Sequence, residues 1–268
     1  MPTLNGKTVL ITGSAGGFGR ELTRQLLLEG SMLILSDRTL AMTQCAAAEV
    51  AAGLGGRKVP GRILGFVAAD LASPEGAAHL AAQARAVAPQ IDVLINNAGL
   101  SFIGAFADVP QDRWELIMQV NLLAPMRLTA LLLPEMIARG GGHVVNIASC
   151  AGLAGTPSLV AYCASKFGLR GFGEALGNEL RDQGIRVTTL YPYFARTPIL
   201  DSEHFGSRPT PALPTGIDEP DMVIRELIAG LKAGRQHIYP GRTAKLIYQL
   251  QKPGPWLLPK LIRATGQR

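Results

Sequence analysis

A short apolar run, Thr8 to Ile11, leads without a break into Thr12-Gly13-Ser14-Ala15-Gly16-Gly17-Phe18-Gly19, and a helical pattern follows from Arg20 to Glu29. Strand, glycine loop and helix in that order constrain the fold more than any other feature of the chain. The unit places a diphosphate on a helix N-terminus. The backbone must come close to the phosphates there, and side chains would clash. The spacing Gly13, Gly17, Gly19 is Gly-x-x-x-Gly-x-Gly, not the tighter Gly-x-Gly-x-x-Gly. A plain flexible turn is the bland reading, and the periodicity on both flanks argues against it.

The same alternation continues down the chain. Apolar, β-rich runs recur at 9–11, 33–35, 63–67, 93–95, 144–147 and 187–190, with a short final one at 237–239. Helical patterns separate them at 20–29, 40–52, 75–87, 113–138, 160–183 and 220–232. Alternation of this kind predicts βαβ crossovers. The expected fold is α/β, a single-domain Rossmann-type doubly wound parallel sheet of about seven strands with helices on both faces. It is expected to span residues 1–242, and 268 residues suffice for a well-buried core. The glycine loop, Asp37, Asn97 and Ser149 all follow strand ends, so they converge on one edge of the sheet.

Tyr162-Cys163-Ala164-Ser165-Lys166 carries the chemistry. On a helix, residues i and i+4 share a face. That sets a phenol beside an ammonium. At ~5 Å and an effective dielectric of ~20, the charge favours tyrosinate by roughly 3 kcal/mol, or ~2 pK units. A phenol titrating near 10 then becomes an acid/base for neutral pH. Tyr-x-x-x-Lys also arises by chance on any long helix. Its context, with Ser149 upstream and Asn121 further back, removes that reading.

In this order and spacing the chain resembles the short-chain dehydrogenases/reductases. The matching marks are Thr12-Gly13-x-x-x-Gly17-x-Gly19, Asp70-Leu71, Asn96-Asn97-Ala98-Gly99, Asn121, Ser149, Tyr162-x-x-x-Lys166, and Pro192 with Thr197. The resemblance implies an NAD(P)-dependent oxidoreductase acting on a secondary alcohol or ketone. It implies that Ser149 holds the substrate oxygen and that Tyr162 moves its proton. Lys166 would tune Tyr162 and hold the nicotinamide ribose, and Asn121 would support a proton relay. Cofactor contacts are expected from Gly13, Ser14, Gly17, Phe18, Gly19, Asp37, Arg38, Asp70, Leu71, Asn97, Ala98, Gly99, Tyr162, Lys166, Pro192 and Thr197. In a family member the connection 193–219 covers the substrate, so it is expected to be a lid; it is long and rich in Pro, Ser and Gly. Where the family often has Pro-Gly, this chain has Tyr191-Pro192-Tyr193-Phe194. The bulky aromatic either walls the pocket or is a local surface change.

Cofactor choice turns on Ser36-Asp37-Arg38. A carboxylate at that strand end accepts from both adenosine ribose hydroxyls and repels a 2′-phosphate, which favours NAD over NADP. Arg38 and Ser14 could instead hold that phosphate. Candidate pocket residues such as Phe102, Phe106, Leu153, Tyr193 and Ile199 imply an apolar alcohol or ketone, a sterol-like ring or a long-chain hydroxy compound among them.

Cys45, Cys150 and Cys163 have neither metal nor redox spacing. The two that adjoin Ser149 and Tyr162 read as small buried residues. The four histidines lack partners at ligand spacing, so no metal is expected. The N-terminus enters a strand without a leader pattern, no apolar run approaches the length of a membrane span, and the default location is cytoplasmic. The net charge of +6 is uneven. From Leu227 to Arg268 there are eight basic residues and no acidic one, leaving 18 basic against 20 acidic elsewhere. Residues 243–268 interleave that charge with Leu, Ile and Trp256, and read as a basic amphipathic tail. Three readings fit it: closing over an apolar substrate entrance, touching a membrane surface, or docking on a neighbouring subunit of a homodimer or homotetramer. Nucleic acid does not, because stacking aromatics and a reading motif are lacking. A non-catalytic nucleotide sensor or membrane-associated scaffold on the same fold is the alternative to an enzyme. The complete set Asn121, Ser149, Tyr162 and Lys166 favours the enzyme, since a sensor has no need of all four.

Overall fold

The computed structural model describes residues 3–207 and 216–251. Strand β1, Thr8–Thr12, lies inside a seven-stranded parallel sheet. The other strands are β2 (Met32–Asp37), β3 (Arg62–Ala68), β4 (Val93–Asn96), β6 (Gly142–Ile147), β7 (Ile185–Leu190) and β9 (His237–Ile238). Their order is β3-β2-β1-β4-β6-β7-β9, and every pairing is parallel. The order reverses direction between β1 and β4, and the carboxyl ends of the strands there form the ligand crevice of such sheets.

Pleating explains why the strands read as unbroken apolar runs. Val9 and Ile11, with Leu33 and Leu35, face a core shared with helices α1 (Gly17–Leu28), α2 (Leu40–Gly53) and α7 (Pro220–Lys232). Leu10 and Ile34 face a second core with α3 (Pro74–Val87), α5 (Ala124–Ala138) and α6 (Val160–Glu179). Successive side chains point to opposite faces, so both faces must be apolar. The doubly wound architecture expected from the alternation is the one observed. All seven expected strands are present, within one or two residues.

Two features were not legible in the periodicity. Residues Ile103–Gly104 (β5) and His204–Phe205 (β8) form a separate two-stranded sheet, too short for any pattern to register. The helix expected at 113–138 is α4 (Gln111–Met118), a π-turn over Gln119–Leu123, and then α5. As one run of 28 residues, Gln111–Ala138 is apolar and long enough to cross a bilayer, which corrects the expectation that no segment would be. Leu128, Leu132 and Met136 on it are buried against the sheet, as core helices of such sheets are.

A third cluster, with Tyr191, Cys150, Leu153 and Leu169, lies under helix α8 (Gly241–Gln251). Ala244 of α8 is buried there, and Tyr248 stacks on Tyr239 at 3.9 Å between ring centroids. The first nine residues of the tail are therefore helical and packed on the domain. The remainder, 252–268 with Trp256, lies outside the described residues, as does 208–215 of the expected lid.

Candidate active site

The glycine loop begins as β1 ends. Gly13 takes φ +64°, and a Cβ there would sit 2.7 Å from the Ala98 Cα. At Gly19 a Cβ would run into the Gly13 carbonyl and the Ser14 backbone. Side chains at these positions would fill the cradle, which is why glycine stands there. Helix α1 starts at Gly17, three residues earlier than the periodicity suggested, with Gly16 as its N-cap. The loop thus ends inside the helix whose N-terminus faces it. Ser14 has a buried Oγ with no hydrogen-bond partner among the described residues. An open cradle and an unpartnered hydroxyl fit a dinucleotide diphosphate.

Neighbouring strand ends brace this loop. Asn97 donates from Nδ2 to the carbonyls of Thr12 and Gly13, each at 2.9 Å. The Thr12 hydroxyl accepts from the Asn97 and Ala98 amides, each at 3.0 Å. Asn96 reaches sideways instead, donating at 2.9 Å to the Asn146 Oδ1 on β6. The two amide side chains therefore divide the work: Asn96 ties strands, Asn97 holds the loop. Thr12 has an anchoring role that pattern reading missed. The signal was its place before Gly13, where a hydroxyl at a buried strand end needs a partner.

Asp37 ends β2. Its carboxylate accepts from the Ala15 amide at 3.0 Å and from the Arg38 amide at 2.8 Å. It is held beside the glycine loop, with Arg38 exposed next to it. Asp70 is exposed and accepts from the Ala72 amide at 3.0 Å, while Leu71 beside it is buried. Phe18 packs against the first core, one residue past Gly17. Thr197 lies over the loop: a Cβ on Gly17 would come within 2.6 Å of its Cγ2. The Pro192 carbonyl accepts from the Cys150 amide at 2.8 Å, joining the strand ends of β6 and β7.

Helix α6 carries Tyr162 and Lys166. The Lys166 Nζ sits 5.5 Å from the Tyr162 ring centroid and donates to the Ile147 carbonyl at 2.9 Å. Ser149 follows β6, accepts from the Ala151 amide at 3.1 Å and donates to the Pro192 carbonyl at 3.5 Å, with its hydroxyl on the Tyr162 side of the site. Asn121 lies in the π-turn, fully buried. It pairs both ways with Leu100, accepting from the amide and donating to the carbonyl at 2.9 Å each. A single π-turn inside a helix often marks a functional site. Here it sets Asn121 near Lys166 from another direction. A Cβ on Gly99 would meet the Asn121 Oδ1 at 3.4 Å and the Lys166 Nζ at 3.6 Å. All four proposed catalytic side chains therefore converge beside the glycine loop, from β6, α6 and the turn between α4 and α5.

Electrostatics differ from the sequence-based expectation in one respect. Burial raises the Tyr162 phenol to about 12, with the Ser149 hydroxyl working the other way. Burial also lowers the Lys166 ammonium to about 8. The expected depression of Tyr162 is not what the structure gives, because removing both groups from water disfavours each charged form. Cys150 is pushed up to about 12 by burial, with the Asp218 charge adding, and Cys163 is also raised by burial. Both thiols are buried beside the site, as small core residues.

Residues 7–205 match the family profile described as short chain dehydrogenase. The chain belongs to the short-chain dehydrogenase family. Ketoacyl reductase HetN from Nostoc sp. is 34% identical over 270 residues, covering all of this chain and 86% of that protein. Among solved structures, a short-chain dehydrogenase from Sphingobium yanoikuyae in complex with NADPH superposes with a TM-score of 0.75 at 27% identity, over 87% of each chain. A family member from Burkholderia phymatum in complex with NAD superposes at 0.78 with 25% identity, over 89% and 90% of the two chains. This chain is thus an oxidoreductase of a family whose members bind either nicotinamide dinucleotide.

Proposed function

We propose that this short-chain dehydrogenase interconverts a secondary alcohol and a ketone on an apolar substrate. The observation that carries the reading is the convergence of Asn121, Ser149, Tyr162 and Lys166 next to the glycine cradle. A bound nicotinamide supplies the hydride acceptor or donor. Every other task falls to the chain. Ser149 hydrogen-bonds the substrate oxygen and holds the reacting carbon in place. Tyr162 accepts the hydroxyl proton in oxidation and returns it in reduction. Lys166, anchored on the Ile147 carbonyl, adds positive charge that favours tyrosinate. Asn121, held by Leu100, keeps the region behind Lys166 polar for proton exchange. A non-catalytic sensor would have no use for this arrangement.

NAD is the favoured cofactor in this reading. Asp37 is fixed beside the loop by two amides, and a carboxylate there opposes a 2′-phosphate. Arg38 is the residue that would compensate in the NADP alternative. An apolar substrate is favoured by the aromatic ring pairs around the lid, Phe102 with Phe205 at 5.9 Å and Tyr193 with Phe194 at 5.0 Å. Leu153 is instead buried under α8 and is better assigned to the core.

The exposed Met126, Leu131 and Ile137 on α5, with Val160 and Phe167 on α6, favour a homodimer or homotetramer that covers them. A cytoplasmic setting, with peripheral membrane contact through the tail, belongs to the same reading. The deciding experiment is a cofactor-coupled screen of alcohols and ketones against both dinucleotides. Turnover of bulky or long-chain substrates with NAD supports the proposal. Dinucleotide binding without turnover of any alcohol or ketone favours the sensor.

A further inference from the structure

A cavity of about 360 Å³ opens at the end of the sheet opposite the cofactor loops. It lies between the last turns of α1 and α2 and the start of β3. The Arg62 end of β3 pairs with Met32, the first residue of β2, whereas Asp37 closes β2. The two sites are thus separated by the length of β2, ~17 Å at ~3.3 Å per residue.

Its shape has a local cause. Ala47 and Ala51, one helical turn apart on α2, leave space that larger side chains would fill. Gly61 is pinned against α1, donating to the Leu27 carbonyl at 2.9 Å, and any Cβ there would sit 2.7 Å from that oxygen. Gly55 and Gly56, both with positive φ, turn the chain between these anchors. The segment therefore arches away from the sheet, and the hollow beneath it is lined by Leu27, Leu54, Val59 and Ile63.

Charge at this hollow is one-sided. Arg57 and Arg62 line it, and neither guanidinium has an ion pair or side-chain hydrogen bond among the described residues. Lys58 stands between them, and no carboxylate occurs from Val50 to Ala69. Some other surface arginines take carboxylate partners, as Arg20 does with Glu49 and Arg85 with Glu135. An apolar hollow with unpartnered cations at its edge is complementary to one chemical class: an alkyl chain ending in an anion. Among the described residues no aromatic ring lines it, so these residues offer no stacking surface for a nucleobase.

We propose that this cavity is a second binding site, distinct from the catalytic cleft, for a free single-chain amphiphile with a carboxylate head. The chain lies on Leu27, Val59 and Ile63, and Arg57 and Arg62 hold the head through charge-assisted hydrogen bonds. A volume in the range of small-molecule sites suits a medium-length chain.

Calorimetric titration of the full-length protein with decanoate, below its micelle concentration, tests this. One saturable site is expected. Ala51→Leu, which fills the hollow from a helix surface, should weaken binding at least tenfold. Arg57→Ala combined with Arg62→Ala should do the same and remove the salt dependence. Decanol, with the same chain and no charge, should bind at least tenfold more weakly than decanoate. Neither variant touches the catalytic residues, so turnover of a short alcohol should be unchanged. Absence of saturable binding overturns the proposal. So does equal affinity in wild type and both variants, which would place decanoate in the catalytic cleft. Equal affinity for decanol overturns the role of the arginines, and binding only to anionic vesicles would make the patch a membrane contact instead.

Discussion

At the scale of single residues, Tyr162 is the sharpest commitment. Tyr162→Phe keeps the ring and its packing and removes the only proton the phenol can move. Steady-state turnover should fall by several orders of magnitude while dinucleotide still binds by fluorescence titration. More than about a tenth of wild-type kcat would show that another group is the acid/base. Asp37 bears on the cofactor. Asp37→Ser removes the charge that opposes a 2′-phosphate and leaves Arg38 beside it. The ratio of kcat/KM for NAD over NADP should fall at least tenfold, and an unchanged ratio would detach cofactor choice from this residue. Lys166 makes a prediction about pH. Burial lowers it to about 8 from an ordinary 10.5. Between those values the unfolded chain binds a proton that the folded chain has lost, so folded stability rises with pH across the window. The cost of the buried ammonium is complete below pH 8 and is relieved as pH rises. Denaturation of wild type and Lys166→Met should therefore give a stability difference that moves in favour of wild type from pH 8 to 10. Its full span is on the order of 3 kcal/mol. A difference that stays flat would mean that Lys166 titrates normally.

At the scale of elements, the junction of β1 and α1 is the proposed seat of the dinucleotide. A Cβ on Gly19 meets backbone atoms of Gly13 and Ser14 within the loop itself, whereas one on Gly17 meets Cγ2 and Cβ of Thr197, in a separate segment that must shift outward to make room. Gly19→Ala should lower dinucleotide affinity at least tenfold and reduce Tm by several degrees. Gly17→Ala should be milder in Tm. Calorimetry and thermal melts of the two variants check the order, and a reversal would show that the Thr197 segment, not the loop backbone, is the rigid partner.

At the scale of the whole molecule, α8 connects the tail to the domain. Its Tyr248 continues a stack with Tyr239 and Tyr191, Gln251 donates to the Leu153 carbonyl, and Lys245 pairs with Glu226 at 2.9 Å. A chain ending after Gln251 keeps these contacts, and one ending after Arg242 loses them all. The shorter chain should melt several degrees lower, and the longer one close to wild type. Co-sedimentation with anionic vesicles at low salt then tests residues 252–268 separately. If wild type and the chain ending at Gln251 both remain in the supernatant, the membrane reading of the tail fails and subunit docking is favoured.

The sequence alone determined the sheet and its two helical layers, and it placed the candidate site residues at the strand ends. Those features have local causes: apolar runs buried on both faces, helical periodicity, and glycines where backbone approaches backbone. Even the order of loops along the ligand edge followed from each motif's place after a strand. Only the tertiary structure decided how the pieces share work. Asn97 braces the loop while Asn96 ties strands, because β4 lies between β1 and β6. Asn121 comes to the Lys166 side of Gly99 because a π-turn interrupts a helix whose periodicity looks continuous. The sign of the Tyr162 shift also depended on the fold, since spacing gives the attraction of Lys166 but only burial gives the loss of water around both groups. The β5–β8 pair, the docking of α8 and the cavity beside Arg57 join residues distant in sequence, and no local pattern encodes contacts of that range.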